Sequence, residues 1–174
     1  MSNFFFVQVT VDGRHYVLRV VDTAGQTRFR SLRSNFYRGI QVCLLTFALD
    51  DLSSFCNLSM WREEFLYYAE VPPGTAFPFI VIGTKADVFQ RAVSELNVQA
   101  WCRANGDTPY LETSAKNGLN VEEVFDAAVR CFLQVEAENQ QSSSKFPERN
   151  TGGDRNVVKL SGHAETRGSS ACCS

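Results

Sequence analysis

No apolar run in these 174 residues approaches the ~20 residues that a bilayer-spanning helix needs. Phe4-Phe5-Phe6-Val7 is too short for the apolar region of a signal peptide and lacks a preceding positive charge. A large excess of charge of one sign is also missing. The formal net charge is -2, which argues against general nucleic-acid binding. From Asn139 onward there are five basic and three acidic residues, leaving 12 basic against 16 acidic in the body, so the contrast between body and tail is modest. Cys43, Cys56, Cys102 and Cys131 stand singly in apolar or helical contexts without zinc spacing, and are expected to be reduced thiols in the cytosol.

What is present reads as one α/β domain with a tail. The length suits a single domain with a substantial core. Phe4 to Val11 and His15 to Val21 predict two strands joined around Asp12-Gly13, a favourable hairpin dipeptide. Thr27 to Ser34, polar and basic, predicts a mobile loop or short helix. Val42 to Leu49 is a continuous apolar run of strand length, as expected where helices cover both faces of a sheet. Leu58 to Ala69 has helical periodicity, ended by Val71-Pro72-Pro73-Gly74. Phe77 to Ile82, Ser94 to Arg103 and Tyr110 to Thr113 predict strand, helix and strand. Asn120 is placed to cap a last helix carrying Val121, Val124, Phe125, Ala128 and Phe132 on one face. Residues 1–138 therefore form the domain. Residues 139–174, rich in Ser, Gln, Asn and Gly, predict a flexible tether.

Strands alternating with helices after a hairpin predict an open, mainly parallel sheet, and such sheets bind ligands beyond the carboxyl ends of their strands. Three motifs fall just there. Asp22-Thr23-Ala24-Gly25-Gln26 can hold magnesium through water at Asp22, bring the Gly25 amide to a phosphate, and orient an attacking water with Gln26. In Thr84-Lys85-Ala86-Asp87, the Asp87 carboxylate can accept two hydrogen bonds from the N1 and N2 edge of guanine, while the Lys85 stem covers the base. Ser114-Ala115-Lys116 offers backbone amides to a carbonyl oxygen. Taken singly, each is also compatible with an ordinary polar turn.

In this order and spacing the three resemble the third, fourth and fifth motifs of Ras-type small GTPases. Arg28-Phe29-Arg30-Ser31-Leu32 and Phe36-Tyr37-Arg38-Gly39 narrow the resemblance to the Rab branch. Cys43-Leu44-Leu45-Thr46-Phe47, Glu64 to Ala69 and Ala100-Trp101-Cys102-Arg103 look closest to its late-endosomal subgroup. The resemblance covers roughly Phe4 to Leu133. It implies GTP and GDP as ligands, Mg²⁺ as cofactor and GTP hydrolysis as the family reaction, in vesicle traffic. It gives Asp22 to magnesium, Gln26 to the hydrolytic water, and Lys85, Asp87 and the Ala115 N–H to guanine. Thr84 stands where most relatives have asparagine, as in the related Rho branch, implying a weaker tie between loops.

The family's phosphate loop, G-x-x-x-x-G-K-[ST], is not in these 174 residues, where no lysine follows a glycine. Aligned on Asp22, the chain begins just after the family's first switch. The reading therefore expects a small-GTPase fold missing its first strand and helix, unpaired strand edges flanking that strand's central place, and impaired nucleotide binding. Phe4, Val21 and Phe36 match the three apolar positions that Rab proteins present to effectors, Val21 replacing the usual tryptophan. Packing in the core is the competing reading for Phe4 and Phe36. Cys172-Cys173 near the end resembles the double geranylgeranylation site of Rab proteins. Implied partners are the Rab escort protein, the geranylgeranyltransferase, the GDP dissociation inhibitor, effectors and other regulators. The implied location is the cytoplasmic face of endosomal membranes, with a cytosolic pool. The alternatives are a prenylated, nucleotide-independent interaction protein that titrates Rab partners, and a shortened isoform or incomplete gene product.

Overall fold

The computed structural model describes residues 3–23, 37–143 and 157–163. β1 (Asn3–Val11) and β2 (Arg14–Thr23) make the expected antiparallel hairpin, in register from Asn3 opposite Asp22 to Val11 opposite Arg14. Its turn residues Asp12 and Gly13 have φ of 51° and 75°. Two successive positive φ angles match the twist of the flanking strands, and Asp-Gly adopts them readily. There follow β3 (Val42–Ala48), α1 (Leu52–Cys56), α2 (Leu58–Tyr68), β4 (Phe79–Thr84), α3 (Glu95–Ala104), β5 (Tyr110–Glu112), α4 (Val121–Ser143) and β6 (Val157–His163). The predicted loop or helix over Thr27 to Ser34 lies outside the described residues.

One six-stranded sheet runs in the order β1-β2-β6-β3-β4-β5, parallel except for the hairpin. Its β3 and β4 strands alternate between two cores, which is why their sequences read as unbroken apolar runs. Cys43, Leu45, Phe47, Phe79 and Val81 pack on one face with Tyr37, Leu58, Trp61, Phe65 and Val98. Val42, Leu44, Ile80 and Ile82 pack on the other with Leu18, Val20, Val124, Ala128 and Val129.

The sheet's centre departs from expectation. α4 runs on to Ser143, and β6 arises within the segment read as a tether. The edges expected to be open flank β6, which pairs Val157–His163 with Val17–Thr23 and Leu160–Gly162 with Val42–Leu44. A buried backbone group left unpaired costs about 1–3 kcal/mol, while ordering one residue costs about 1–2 kcal/mol. A strand paired along β2 and over three residues with β3 can therefore repay part of its own ordering. A short run such as Val157-Val158-Lys159-Leu160 carries too little periodicity to announce this alone.

Two helix starts follow ordinary capping. Asp51 accepts from the Ser53 and Ser54 amides at 2.9 and 3.4 Å, and the Ser94 hydroxyl from the Asn97 amide at 3.3 Å. Asn120 does not cap α4 with its side chain. Its φ is 54°, and its side-chain amide donates to the Glu112 carbonyl at 2.8 Å, tying the helix start to β5. Cys43 and Cys102 are buried, Cys56 and Cys131 half-buried, and none of the four is in a disulfide. Burial pushes the Cys102 and Cys131 thiols up, away from the reactive thiolate. Among the described residues, no helix is long and apolar enough to cross a membrane.

Candidate functional site

β4 and β5 deliver two of the motifs to one rim. Thr84 closes β4, donating its hydroxyl to the Phe47 carbonyl at 2.9 Å and accepting the Leu49 amide at 3.0 Å. The threonine thus ties the ends of β3 and β4 directly. Lys85 follows with φ of 64°, a left-handed conformation that turns the chain sharply out of the strand. Its Nζ donates to both Asp50 carboxylate oxygens, at 2.8 and 3.1 Å. The pair is exposed and contributes only ~0–1 kcal/mol, so its effect is to orient the lysine.

Asp87 is held by the neighbouring turn. The buried Ser114 hydroxyl donates to Asp87 Oδ1 at 2.5 Å, and Lys116 Nζ lies 3.6 Å from Oδ2. The Ser114 hydrogen bond, then the Asp87 backbone amide and the Lys116 charge, hold the Asp87 carboxyl below its ordinary range despite some desolvation. An ionised carboxylate with fixed orientation is what recognition of two adjacent N–H groups requires. Backbone bonds bind the turns together further. The Ala86 amide donates to Thr113 at 2.9 Å, the Thr113 amide to Gly83 at 2.8 Å, and the Lys116 amide to the Ser114 hydroxyl at 3.2 Å.

Thr84, Lys85, Asp87, Ala115 and Lys116 line a cavity of about 440 Å³, within the size range of small-molecule sites. Leu44, Ile82, Val124 and Phe125 contribute an apolar floor. The polar groups sit at its mouth and the hydrophobic wall behind them, an arrangement suited to a flat heterocycle with one hydrogen-bonding edge. A larger cavity of about 900 Å³ lies at the amino ends of β4 and β5, against Pro72, Pro78, Asn105 and Pro109, and none of the motif residues lines it.

Asp22 sits near the end of β2, on the same rim but with β6 and β3 between it and β4. Three strand spacings correspond to about 14 Å, and Asp22 does not line the cavity. Among the described residues no three His, Cys, Asp or Glu side chains converge as a metal site, so they offer Mg²⁺ the single carboxylate of Asp22. The described residues fit a base and do not by themselves fit the magnesium. Gly25, Gln26, Phe36, Cys172 and Cys173 lie outside the described residues. Val21 is buried in the core, whereas Phe4 is 58% exposed and stacks beneath the Arg19 guanidinium at 5.0 Å. Asp50, which orients Lys85, escapes sequence reading. It lies next to the α1 cap Asp51, a position that carries no local sign of the contact with Lys85.

The Ras family model matches residues 1–134. The chain is 46% identical to the dog Ras-related protein Rab-9A over 170 residues, covering 98% of this chain and 79% of that protein. It is 56% identical to Rab-9B of Pongo abelii over 126 residues, 72% of this chain and 63% of the relative. With Rab7 of Drosophila melanogaster it shares 41% identity over 155 residues, 89% and 74% of the two chains. The chain belongs to the Ras family, as a Rab-type small GTPase close to the late-endosomal subgroup.

Proposed function

We propose that this Rab-like protein of membrane traffic recognises guanine through the turns after β4 and β5, acts at endosomal membranes, and is held there by lipid on Cys172 and Cys173. The observation that carries the reading is the Ser114–Asp87 hydrogen bond at the mouth of the apolar cavity, since it presents an ionised, oriented carboxylate where a base would lie. Asp87 takes the N1 and N2 edge of guanine. The Ala115 amide, with the Ser114 and Lys116 turn around it, takes the oxygen. The Lys85 stem covers the ring, and Thr84 holds the two strand ends in place. Gln26 orients water for hydrolysis of GTP to GDP, with Asp22 serving magnesium through water and Gly25 approaching the phosphate. The escort protein, geranylgeranyltransferase, GDP dissociation inhibitor and effectors are the partners that follow from the family.

These 174 residues contain no G-x-x-x-x-G-K-[ST] loop, so base recognition stands without a cradle of amides for the phosphates. As a polypeptide they bind nucleotide weakly. The test is GTP titration of the chain with Mg²⁺, beside a version extended by a family strand, loop and helix. Tight binding is expected only in the extended version, and is expected to be lost there on Asp87→Ala. Submicromolar binding by the 174-residue chain overturns the weak-binding proposal. Unchanged affinity on Asp87→Ala overturns the base assignment.

A second reading is a prenylated interaction protein that works without nucleotide. Phe4, Phe5 and Phe6 favour it, because all three are exposed on the edge strand β1 and remain available whatever the cavity holds. Capture of Rab partners that is equal with and without guanine nucleotide supports this reading; dependence on GTP removes it.

A further inference from the structure

We propose that the slot between β2 and β3 is a strand-acceptor site, that the chain's own Val157–His163 exchanges between docked and released states there, and that docking sets how far the terminal cysteines reach from the fold. The part about reach rests on the lipid-anchor reading above; the part about docking does not.

Three observations carry it. First, β6 is held unevenly, with seven residues in register with β2 and three with β3. Beyond Leu44, Leu45–Ala48 of β3 pair with β4 alone among the described residues. A central strand held along one side for less than half its length opens more readily than its neighbours. Gly162, inside β6, weakens it further. Second, 13 residues separate Ser143 from Val157, so α4 need not move when β6 leaves the sheet. The site takes an extended peptide, parallel to its neighbours and free of proline, as Val157–His163 is.

Third, the strand's direction matters. Parallel to β2 and β3, β6 brings His163 opposite Thr23 on the carboxyl rim, the rim of Asp87 and Lys116. Cys172 is nine residues beyond His163 and 29 beyond Ser143. At about 3.3–3.6 Å per residue, it reaches at most ~30 Å from the rim when the strand is docked and ~100 Å from the end of α4 when it is released. Docked, the chain keeps its terminal cysteines close to the nucleotide-binding face. Released, it has roughly three times the reach.

Ser161 is the register partner of Cys43, which provides a direct test in the full chain. Mild oxidation of the Ser161→Cys variant is expected to join the introduced thiol to Cys43 in a disulfide, seen by peptide mapping. Neighbouring strands bring Cα atoms within disulfide range. Adding Leu160→Pro is expected to lower the yield about tenfold, since proline does not fit a central strand. No such disulfide, or an equal yield with proline, overturns docking. Hydrogen exchange on the unaltered chain tests release without relying on a variant that has to fold. Amides of 158–162 are expected to exchange at least about tenfold faster than those of 80–82, and equal protection overturns exchange. For reach, energy transfer from tryptophan to dansyl-labelled phosphatidylcholine vesicles is compared for the prenylated chain and its Leu160→Pro variant. Transfer is expected to change about twofold or more on releasing the strand. Unchanged transfer overturns the reach claim. Failure of both proteins to bind vesicles removes it together with the lipid-anchor reading, while the disulfide still decides docking.

Discussion

Ser114 donates its hydroxyl hydrogen to Asp87 across 2.5 Å, joining two turns 27 residues apart in sequence. Because the bond favours the ionised carboxylate, the Asp87 pKa is depressed on folding, with the Ser114 hydrogen bond the first cause. A depressed pKa adds stability that is present above the unfolded carboxylate value and lost as pH falls through the folded one. Ser114→Ala is expected to raise the Asp87 pKa toward the ordinary carboxylate range, read by NMR titration of its side-chain carbon. An unmoved titration would show that Ser114 does not orient this group.

Gly83 leaves no room for a side chain. A Cβ there would lie 2.7 Å from Tyr110 Oη and 3.3 Å from both Leu49 Cδ2 and Phe47 Cζ. The tyrosine cannot easily retreat, being stacked on Phe47 and bonded to Glu112 Oε1 at 2.9 Å. Gly83→Ala is expected to cost about 1–3 kcal/mol in urea denaturation, in the range of overpacked cores. Tyr110→Phe in the same chain should recover part of the loss.

Tyr110 itself is predicted to ionise late. Burial first, then its hydrogen bond to the Glu112 carboxylate, pushes its pKa upward, although Arg91 opposes this. A pKa raised on folding adds stability that is present below the unfolded tyrosine value and lost as pH rises through the folded one. Alkaline absorbance titration should show one late tyrosine that disappears in Tyr110→Phe. Glu112→Gln should move that step to lower pH.

Phe65 anchors the aromatic cluster beneath α2. It is fully buried, with ring centroids 4.9 Å from Phe77, 5.3 Å from Tyr37 and 5.6 Å from Phe79. Phe65→Ala is expected to lose about 3–5 kcal/mol, measured by chemical denaturation. A loss below about 1 kcal/mol would mean that the neighbouring rings collapse into the space.

If Cys172 and Cys173 carry the proposed lipid anchor, replacing both by serine is expected to shift the protein from membrane to soluble fractions in cells, because stable anchoring takes two signals. Replacing one should give partial release. Unchanged partition with both replaced would remove the anchor.

Much of this molecule is legible from residues alone. The Asp12-Gly13 turn, the apolar runs of β3 and β4 and the periodicity of α2 and α4 report local forces, and local forces are written in local sequence. Thr84, Lys85, Asp87, Ala115 and Lys116 can be grouped because strand ends share a rim. Other features depend on partners distant in the chain. Asn120 reads as a helix cap, yet the Glu112 carbonyl captures its side chain. Val21 reads as a surface contact, but strand alternation turns it inward. Val157–His163 reads as tether because its stability comes from β2 and β3, more than a hundred residues earlier.

That separation also governs how the protein is made. The strand at the middle of the sheet leaves the ribosome more than a hundred residues after the hairpin beside it. The sheet can close only after Val157–His163 has emerged, and pairing strands so distant in sequence implies slow folding with an exposed, aggregation-prone nascent state. Chaperone occupancy during translation should accordingly persist until Val157–His163 has emerged.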